Sequence, residues 1–325
     1  MRALVYTGTQ LSEIRNLPAP VCDQGQVIVD LAFCGICGSD MHAWHGHDER
    51  RIPPLVLGHE AVGVALDGAL QGSRVAINPL MTCGFCACCV SGHEHLCDQR
   101  ELIGMRVPGA FAERVMVADQ NLTVLPDDLP FVEAVLAEPL ACSVHASRLV
   151  LQHAEDNQVG SILILGGGAI GLLVGLVCLN YGYKNVWIAE TNPLRRSMLE
   201  KLGNFRTYDP QVAGSCPQNV DVIVDAVGSG LTRSISSALV RPGGIIVHIG
   251  LQDNYDGLDS RRLTLQEITF KGTYCYRRDD FAEALNLLSE GVVTGAGWVD
   301  VRPLTDGAAA FEDIHNGTAS PKIIL

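Results

Sequence analysis

The chain has 325 residues, more than one hydrophobic core usually holds, so we expect two domains. Hydrophobic residues make up 47% of it and charged residues 18%, a composition typical of globular proteins with large cores. The formal net charge is −13 and the sequence has no run of Lys or Arg, which argues against a nucleic-acid partner or an anionic membrane surface.

The N-terminal stretch MRALVYTGTQLSEIRN has neither a long apolar core nor a small-residue cleavage site. It predicts a strand and a turn rather than a signal peptide, so we expect a cytoplasmic protein. Cytosolic thiols stay reduced, and clustered cysteines there bind metal or take part in chemistry more often than they form disulfides.

Short alternating or apolar runs separated by Gly, Pro, Asn and Asp indicate that residues 1–146 are rich in β-strands. From residue 147 onwards strands alternate with helices, which is typical of a parallel sheet with crossover connections. In chain order these elements are the strand SILILG, the helix AIGLLVGLVCLNYG, the strand NVWIAE, the helix NPLRRSMLEKLG, the strand VDVIVDAVG, the helix LTRSISSALVRPGG and the strand IIVHIG. Residues 278–290 predict a further helix, and KIIL predicts a final short strand.

One segment has the length of a short membrane span, because Ile162 to Leu179 is apolar throughout. Three consecutive glycines, Gly166 to Gly168, divide it into a short strand and a helix. We therefore interpret it as a buried strand, turn and helix, and expect no membrane partner.

A glycine loop follows this strand and opens the helix, and it consists of Gly166, Gly167, Gly168, Ala169, Ile170 and Gly171. The loop satisfies G-x-G-x-x-G in the context that a dinucleotide phosphate site requires. Gly166 permits the tight turn, Gly168 lets the backbone approach a pyrophosphate, and Gly171 allows the helix to pack closely on the strand. The N-terminus of the helix then faces the negative charge.

Glu190 ends the next predicted strand, where an acidic side chain can accept hydrogen bonds from the ribose hydroxyls of NAD. A carboxylate at that place also repels the 2′-phosphate of NADP. Arg195 and Arg196 follow nearby and could tolerate that phosphate, so an ordinary solvated role for Glu190 stays open.

Five cysteines lie between residues 83 and 97, and four of them have spacings that suit a tetrahedral zinc site. The set we favour is Cys83, Cys86, Cys89 and Cys97. Cys88 could replace Cys89, and His93 and His95 are weaker substitutes. Four thiolates leave no open coordination position, so this zinc would be structural, and the active site must lie elsewhere.

Two short motifs upstream carry a second set of metal ligands: GICGSDMH, residues 35–42, and GHEAVG, residues 58–63. Cys37 and His59 could bind one metal ion and leave a position open for substrate. Each motif is weak alone, but together with the thiol cluster and the glycine loop they form a strong pattern.

At this point the chain resembles the zinc-containing medium-chain alcohol dehydrogenases. GICGSDMH, GHEAVG, the four-cysteine lobe, AEPLACSVHA and the glycine loop occur in the order of that family. The resemblance implies an α/β fold with two domains. A GroES-like, β-rich catalytic domain would comprise residues 1–146 and 275–325, with the zinc-stapled lobe at about 80–100, and a doubly wound parallel Rossmann domain would comprise residues 147–274.

The resemblance also implies roles for particular residues. Cys37 and His59 match ligands of a catalytic zinc. Where many members have a cysteine, this chain has Glu138, as in the sorbitol and threonine dehydrogenase branches. In those branches the ligands include the glutamate after the histidine, here Glu60, and the glutamate that matches Glu138 lies at or next to the metal, so the implied zinc set is Cys37, His59, Glu60 and Glu138. Asp40 matches a carboxylate that orients the histidine, although a turn or helix-cap role is equally open.

In the implied reaction, zinc lowers the pKa of the alcohol, a hydride passes to NAD, and the proton leaves through Ser39 and the cofactor ribose to His42. In the glutamate-containing branch, a zinc-bound water and Glu138 are the alternative route. Each subunit would bind two zinc ions and one NAD. Its relatives form homodimers or homotetramers by pairing sheet edges, and the strand near ITFKGTY is the candidate edge.

The chain departs from the sorbitol branch after its sixth Rossmann strand, where Cys275 stands in place of the arginine that precedes a tyrosine. This departure means that sorbitol itself is not assigned as the substrate, and we expect a secondary alcohol of the polyol, cyclitol or sugar-acid kind. The alternatives are a threonine-type amino alcohol, an NADP-linked carbonyl reductase, and a non-catalytic nucleotide-sensing relative.

Overall fold

The computed structural model describes residues 1–22, 25–156, 158–212, 214, 216–253 and 255–325. The first elements are strands β1 (Arg2–Gly8), β2 (Leu11–Asn16), β3 (Gln26–Gly35), β4 (Leu55–Val56), β5 (Glu60–Ala65), β6 (Arg74–Ile77), β7 (Leu80–Met81), β8 (Glu101–Leu102), β9 (Arg114–Ala118) and β10 (Leu122–Val124), with helices α1 (Gly38–Trp44), α2 (Ala87–Val90) and α3 (Phe131–Ala134).

The chain continues through α4 (Ala137–Asp156), β11 (Ile162–Leu165), α5 (Ala169–Asn180), β12 (Val186–Ala189), α6 (Pro193–Leu202), β13 (Arg206–Tyr208), β14 (Val220–Asp225), α7 (Gly230–Leu239), β15 (Val240–His248), α8 (Ser260–Leu265) and β16 (Thr269–Gly272). It ends with α9 (Arg278–Ser289), β17 (Val299–Val301), α10 (Gly307–His315) and β18 (Lys322–Ile324).

Two compact units divide the chain, one formed by Met1–Pro139 with Arg277–Leu325 and the other by Leu140–Tyr276. From the sequence pattern and the resemblance, we predicted boundaries after residues 146 and 274. The first boundary lies inside α4, a helix that begins in one unit and continues into the other. A change of sequence pattern therefore marks this division only within a few residues.

The first unit is built on an open β-structure. Its largest sheet has seven strands in the order β10-β6-β5-β3-β18-β17, with β9 paired to β3, and a second sheet has the order β2-β1-β4. The C-terminal strand β18 joins this sheet beside β3, where Ile324 pairs with Gly35. As a result, the last residues of the chain lie next to the GICGSDMH motif.

The second unit is a six-stranded parallel sheet in the order β13-β12-β11-β14-β15-β16. The order reverses between β12 and β14 at β11, as in a doubly wound dinucleotide fold. All four residues of β11 are buried, because crossover helices cover both faces of a parallel sheet. Ile162–Leu165 is thus a core strand and α5 its crossover helix, and no helix in the described ranges has both the length and the apolar character of a membrane span.

Three local predictions need correction. The helix predicted for LTRSISSALVRPGG ends at Leu239, and Val240 already begins β15 opposite Val220. Pro242 explains the difference, since proline cannot continue a helix and pushes the preceding residue towards extended backbone. The pattern analysis also missed β13, and it included the start of α4 in the β-rich region.

Candidate active site

The four cysteines of the thiol lobe converge on one point, although they come from different turns of the chain. Their sulfur atoms all lie within 4.8 Å of one another. The Sγ atoms of Cys83 and Cys89 are 3.8 Å apart, those of Cys86 and Cys89 3.5 Å, and those of Cys97 and Cys83 3.6 Å. The backbone N–H of Cys86 also points at Cys83 Sγ, at 3.4 Å.

These distances fit a zinc ion. Zinc–sulfur bonds of about 2.3 Å in a tetrahedron place the sulfurs about 3.8 Å apart. Cys88 does not belong to the group. His93 is engaged elsewhere, because its ring accepts from Arg277 at 2.8 Å on one side and contacts Ser91 on the other. Of the five cysteines, the structure thus brings together the set that the spacing favours.

A second group of ligand atoms forms where α1 begins and β5 begins. Cys37 precedes the first residue of α1, and His59 and Glu60 stand at the start of β5. One ligand atom from each of these three residues lies within 4.8 Å of the others. His59 and Glu60 are buried and Cys37 is partly exposed, so the group opens on the side of the thiol.

Asp40 serves both roles that the sequence left open. One carboxylate oxygen accepts the backbone N–H of Cys37 at 3.0 Å, which caps α1. The other accepts the backbone N–H of Gly58 at 3.2 Å and lies 3.4 Å from Nδ1 of His59. Because Nδ1 faces this carboxylate, the opposite nitrogen of the ring is left for a metal ion.

Lys322 is the residue that the sequence analysis missed. Its ammonium donates to both carboxylate oxygens of Glu60 at 2.7 Å and to the backbone carbonyl of Ile36 at 2.9 Å. Both side chains are almost completely buried. The carboxylate of Glu60 also occupies the space beside Gly35 that a side chain would fill, because a Cβ at that position would collide with it. The carboxylate of Glu60 is therefore oriented by Lys322, the first residue of β18.

The charges around this group favour a cation. Burial lowers the pKa of His59, but the negative charges of Asp40 and Cys37 outweigh it and raise the pKa well above its usual value. Burial likewise lowers the pKa of Lys322, and Glu60, Cys37 and, more weakly, Glu138 raise it overall. Thiol, imidazole and carboxylate are ligand types that zinc accepts, so the residues present fit a zinc ion.

The remaining predicted residues of this site lie around the group. Glu138 is buried in the first turn of α4 and acts electrostatically on Lys322, but it stands outside the close group of ligand atoms. Ser39 Oγ lies 3.5 Å from Nε2 of His59. The buried Arg51, also missed by the sequence analysis, donates to this hydroxyl at 3.3 Å.

In the second unit, the glycine loop has the backbone that its sequence predicts. Gly166 has a φ of +96°, a conformation that other residues rarely adopt. A Cβ at Gly171 would lie 1.8 Å from the carbonyl oxygen of Gly166, so only glycine fits there. Nothing lies within 4 Å of a Cβ at Gly168, which leaves space beside the loop where α5 begins. The loop thus presents the N-terminus of α5, at Ala169 and Ile170, to an anion.

Glu190 lies against this loop rather than in solvent. One carboxylate oxygen accepts the backbone N–H of Gly167 at 2.9 Å, and the other accepts that of Asn192 at 2.8 Å. Arg196 is held by the carbonyls of Glu190 and Thr191 and by an ion pair with Asp209.

Arg195 differs from Arg196, because its buried Nε has no hydrogen-bond partner in the described structure. This arginine therefore keeps hydrogen-bonding capacity for a bound molecule near Glu190.

Two protein-family descriptions match the chain. Residues 23–127 match the alcohol dehydrogenase GroES-like domain, and residues 169–290 match the zinc-binding dehydrogenase domain. These matches confirm the predicted fold class, a GroES-like domain combined with a parallel α/β domain.

Three known proteins illustrate the similarity. Sorbitol dehydrogenase of Bacillus subtilis is 30% identical over 313 residues, which cover 90% of this chain and 87% of that protein. 2-Dehydro-3-deoxy-L-galactonate 5-dehydrogenase of Pseudoalteromonas atlantica is 29% identical over an alignment that covers 100% of this chain and 98% of that protein. The third is a crystal structure from Sinorhizobium meliloti 1021, described as a zinc-binding dehydrogenase bound to NADP. Its sequence is 27% identical, its TM-score is 0.86, and the match covers 99% of this chain and 98% of that one. The chain therefore belongs to the zinc-containing medium-chain alcohol dehydrogenase family and is an oxidoreductase.

Proposed function

We propose that this protein oxidises a secondary alcohol of the polyol or sugar-acid kind with NAD. The observation that carries the proposal is the group of Cys37, His59 and Glu60, in which Glu60 is already paired with Lys322. A zinc ion bound there keeps a coordination position for substrate, as catalytic zinc sites do. The polyol and sugar-acid relatives support the choice of substrate class.

Zinc bound at this site supplies a positive charge that lowers the pKa of an alcohol, and NAD supplies the hydride acceptor. Side chains of the first unit orient the metal ligands and transfer the proton. The carboxylate of Asp40 faces Nδ1 of His59, and Lys322 keeps Glu60 oriented. Arg51 donates to one lone pair of the Ser39 hydroxyl, which leaves the other lone pair to accept the proton of substrate while the O–H passes its own proton onwards.

His42 is suited to receive that proton at the end of the path. Partial burial lowers its pKa below 6.5, and the neighbouring His47 lowers it further, whereas Asp48 raises it. An imidazole with a lowered pKa is neutral at pH 7 and therefore able to accept a proton. Ser39 and His42 belong to α1, the helix that Asp40 caps, so one short element carries both groups.

The first test measures reduced cofactor by its absorbance after the zinc-loaded protein is mixed with NAD or NADP and a panel of polyols, cyclitols, sugar acids and amino alcohols. We expect turnover with NAD and a polyol or sugar acid. Turnover only with an amino alcohol would favour a threonine-type dehydrogenase, and reduction of a carbonyl with NADPH would favour a reductase.

Cys37→Ser is expected to abolish this turnover, because it replaces a thiolate ligand with a weakly coordinating hydroxyl. Cys22→Ser is the matched control, since Cys22 lies away from the ligand group, near Asp67, and should leave turnover unchanged. Metal analysis accompanies both variants. Full turnover in Cys37→Ser would remove this cysteine from the mechanism.

We further propose that Glu190 makes the enzyme prefer NAD. Glu190→Ala removes a carboxylate that repels the 2′-phosphate, and Arg195 offers that phosphate a partner. We expect the ratio of kcat/KM for NADP to that for NAD to rise about tenfold to a hundredfold, or about 1.4–2.8 kcal/mol.

Glu190→Gln removes the charge and keeps part of the structure, because the amide oxygen can still accept from one of the two N–H groups, that of Gly167 or that of Asn192. It should shift the cofactor ratio in the same direction with a smaller loss of stability. An unchanged ratio in both variants would contradict the role of Glu190. A wild-type preference for NADP would do the same and would support the reductase alternative.

Finally, we propose that two copies pair through β16, which is the last strand of the six-stranded sheet. The exposed Thr269 and Lys271 lie on this edge, and an unpaired edge offers backbone groups to another strand. Light scattering is expected to give at least twice the chain mass of 34.8 kDa, and a mass of 34.8 kDa would contradict the pairing.

A further inference from the structure

A cluster of imidazole rings lies in the first unit, at the ends of α1 and α10. His45 follows the last residue of α1, and His315 is the last residue of α10. The ring centroids of His45 and His315 are 5.0 Å apart, those of His45 and His47 5.8 Å, and those of His42 and His47 5.4 Å. Trp44 contacts both His45 and His315 from one side.

Two of these rings face each other with their nitrogen atoms. Nε2 of His45 lies 3.0 Å from Nδ1 of His315. Two imidazole nitrogens bound to one metal at about 2.0–2.1 Å lie about 2.9 Å apart at a right angle and about 3.4 Å apart in a tetrahedron. The observed separation falls within this range. The pair therefore already has the spacing of two neighbouring ligands.

The charges around His45 and His315 leave their imidazole rings available to bind a metal ion. In the described structure, no carboxylate forms an ion pair with His45, His47 or His315. Burial lowers the pKa of His45, and the neighbouring His315, His47 and His42 lower it further. Neutral imidazole is the form that binds metal, and a lowered pKa keeps His45 neutral at pH 7.

His47 supplies a third ring. It lies two residues after His45, beyond Gly46, whose φ of +80° turns the chain there. The side chain of His47 is exposed, and its ring centroid lies 5.8 Å from that of His45. The three rings do not yet have one nitrogen each within 4.8 Å of the others, so His47 must turn to reach a metal ion held by the pair. Water would complete the coordination, because the rim of the cluster is open to solvent.

We propose that His45, His47 and His315 form a third metal site, for a divalent late transition metal such as zinc or nickel. The site is separate from the Cys37 group and from the four thiols. Imidazole ligands suit these metals, and alkaline-earth ions prefer oxygen. On binding, whichever ring donates the hydrogen bond between His45 and His315 moves its proton to its other nitrogen. Both facing nitrogens then carry lone pairs, with no net release of protons from neutral rings.

The test is a calorimetric titration with nickel chloride at pH 7.5 of the protein loaded with only two zinc ions per chain, so that the histidine site is not already filled with zinc. Zinc and nickel are counted by mass spectrometry afterwards. We expect one nickel ion per chain in addition to the zinc already bound. His45→Gln and His315→Gln should each abolish the binding, and His47→Gln should weaken it.

His153→Gln is the control, since His153 lies in α4, outside the cluster, and should bind nickel like the unmodified protein. Three outcomes would overturn the proposal. They are no nickel binding, a loss of zinc equal to the nickel gained, and equal binding by the unmodified protein and both pair variants. Unchanged affinity in His47→Gln would overturn the assignment of the third ligand.

Discussion

Cys89→Ser is expected to empty the thiol lobe of zinc and to destabilise the protein by more than about 4 kcal/mol, since loss of a structural metal is among the most damaging single changes. The part of the lobe around α2 adds little hydrophobic packing. Phe85 and Val90 are exposed, and α2 has no buried residue. The measurements are zinc per chain, expected to fall by one, and the midpoint of thermal unfolding.

Cys88→Ser is a closely matched control, because Cys88 is the neighbouring cysteine of the same short helix and its sulfur lies outside the group. It should keep its zinc and its stability. If Cys88→Ser lost the metal and Cys89→Ser kept it, the ligand set would be wrong. Equal loss in both would point to general fragility of the lobe.

Lys322→Met should destabilise the protein by about 3–5 kcal/mol, because it leaves the buried carboxylate of Glu60 without its partner. It should also free Glu60 to approach the metal. Replacing the catalytic zinc by cobalt gives a visible spectrum that reports the ligands directly, and we expect this spectrum to change in the variant. Urea unfolding measures the stability.

The double variant Lys322→Met/Glu60→Gln separates the charge from the packing. It removes both charges, so most of the lost stability should return. If the double variant were as unstable as the single one, the effect would come from packing alone. An unchanged cobalt spectrum in Lys322→Met would show that Lys322 does not control the position of Glu60.

The pH dependence of this ion pair follows from the raised pKa of Lys322. A lysine whose folded-state pKa is raised contributes stability fully below its unfolded pKa and loses it as the pH rises through the folded value. The contribution of Lys322 should therefore be constant below pH 10.5 and fade only at higher pH. The stability difference between the protein and Lys322→Met is accordingly expected to be flat from pH 7 to 10.

Local patterns were sufficient for the features built from residues close in sequence. The glycine loop needs a backbone that only Gly166 and Gly171 allow, so its fold can be predicted from the spacing. The same holds for the thiol lobe, where short gaps in the sequence keep Cys83, Cys86 and Cys89 close together. The strand alternation likewise predicted the parallel sheet, although Pro242 moved one boundary.

By itself, the sequence thus determined the fold class and predicted the four-thiol set and the glycine loop, because each is encoded by short spacings or by periodicity. Glu60 and Glu138 were added to Cys37 and His59 only by the resemblance, and the structure brings Glu60 but not Glu138 into the group of ligand atoms. Only the tertiary structure decided which distant groups meet. Lys322 reaches Glu60 because β18 joins the sheet beside β3, and His315 reaches His45 because α10 ends next to α1. No local pattern encodes such pairs, since long-range contacts depend on how whole elements pack.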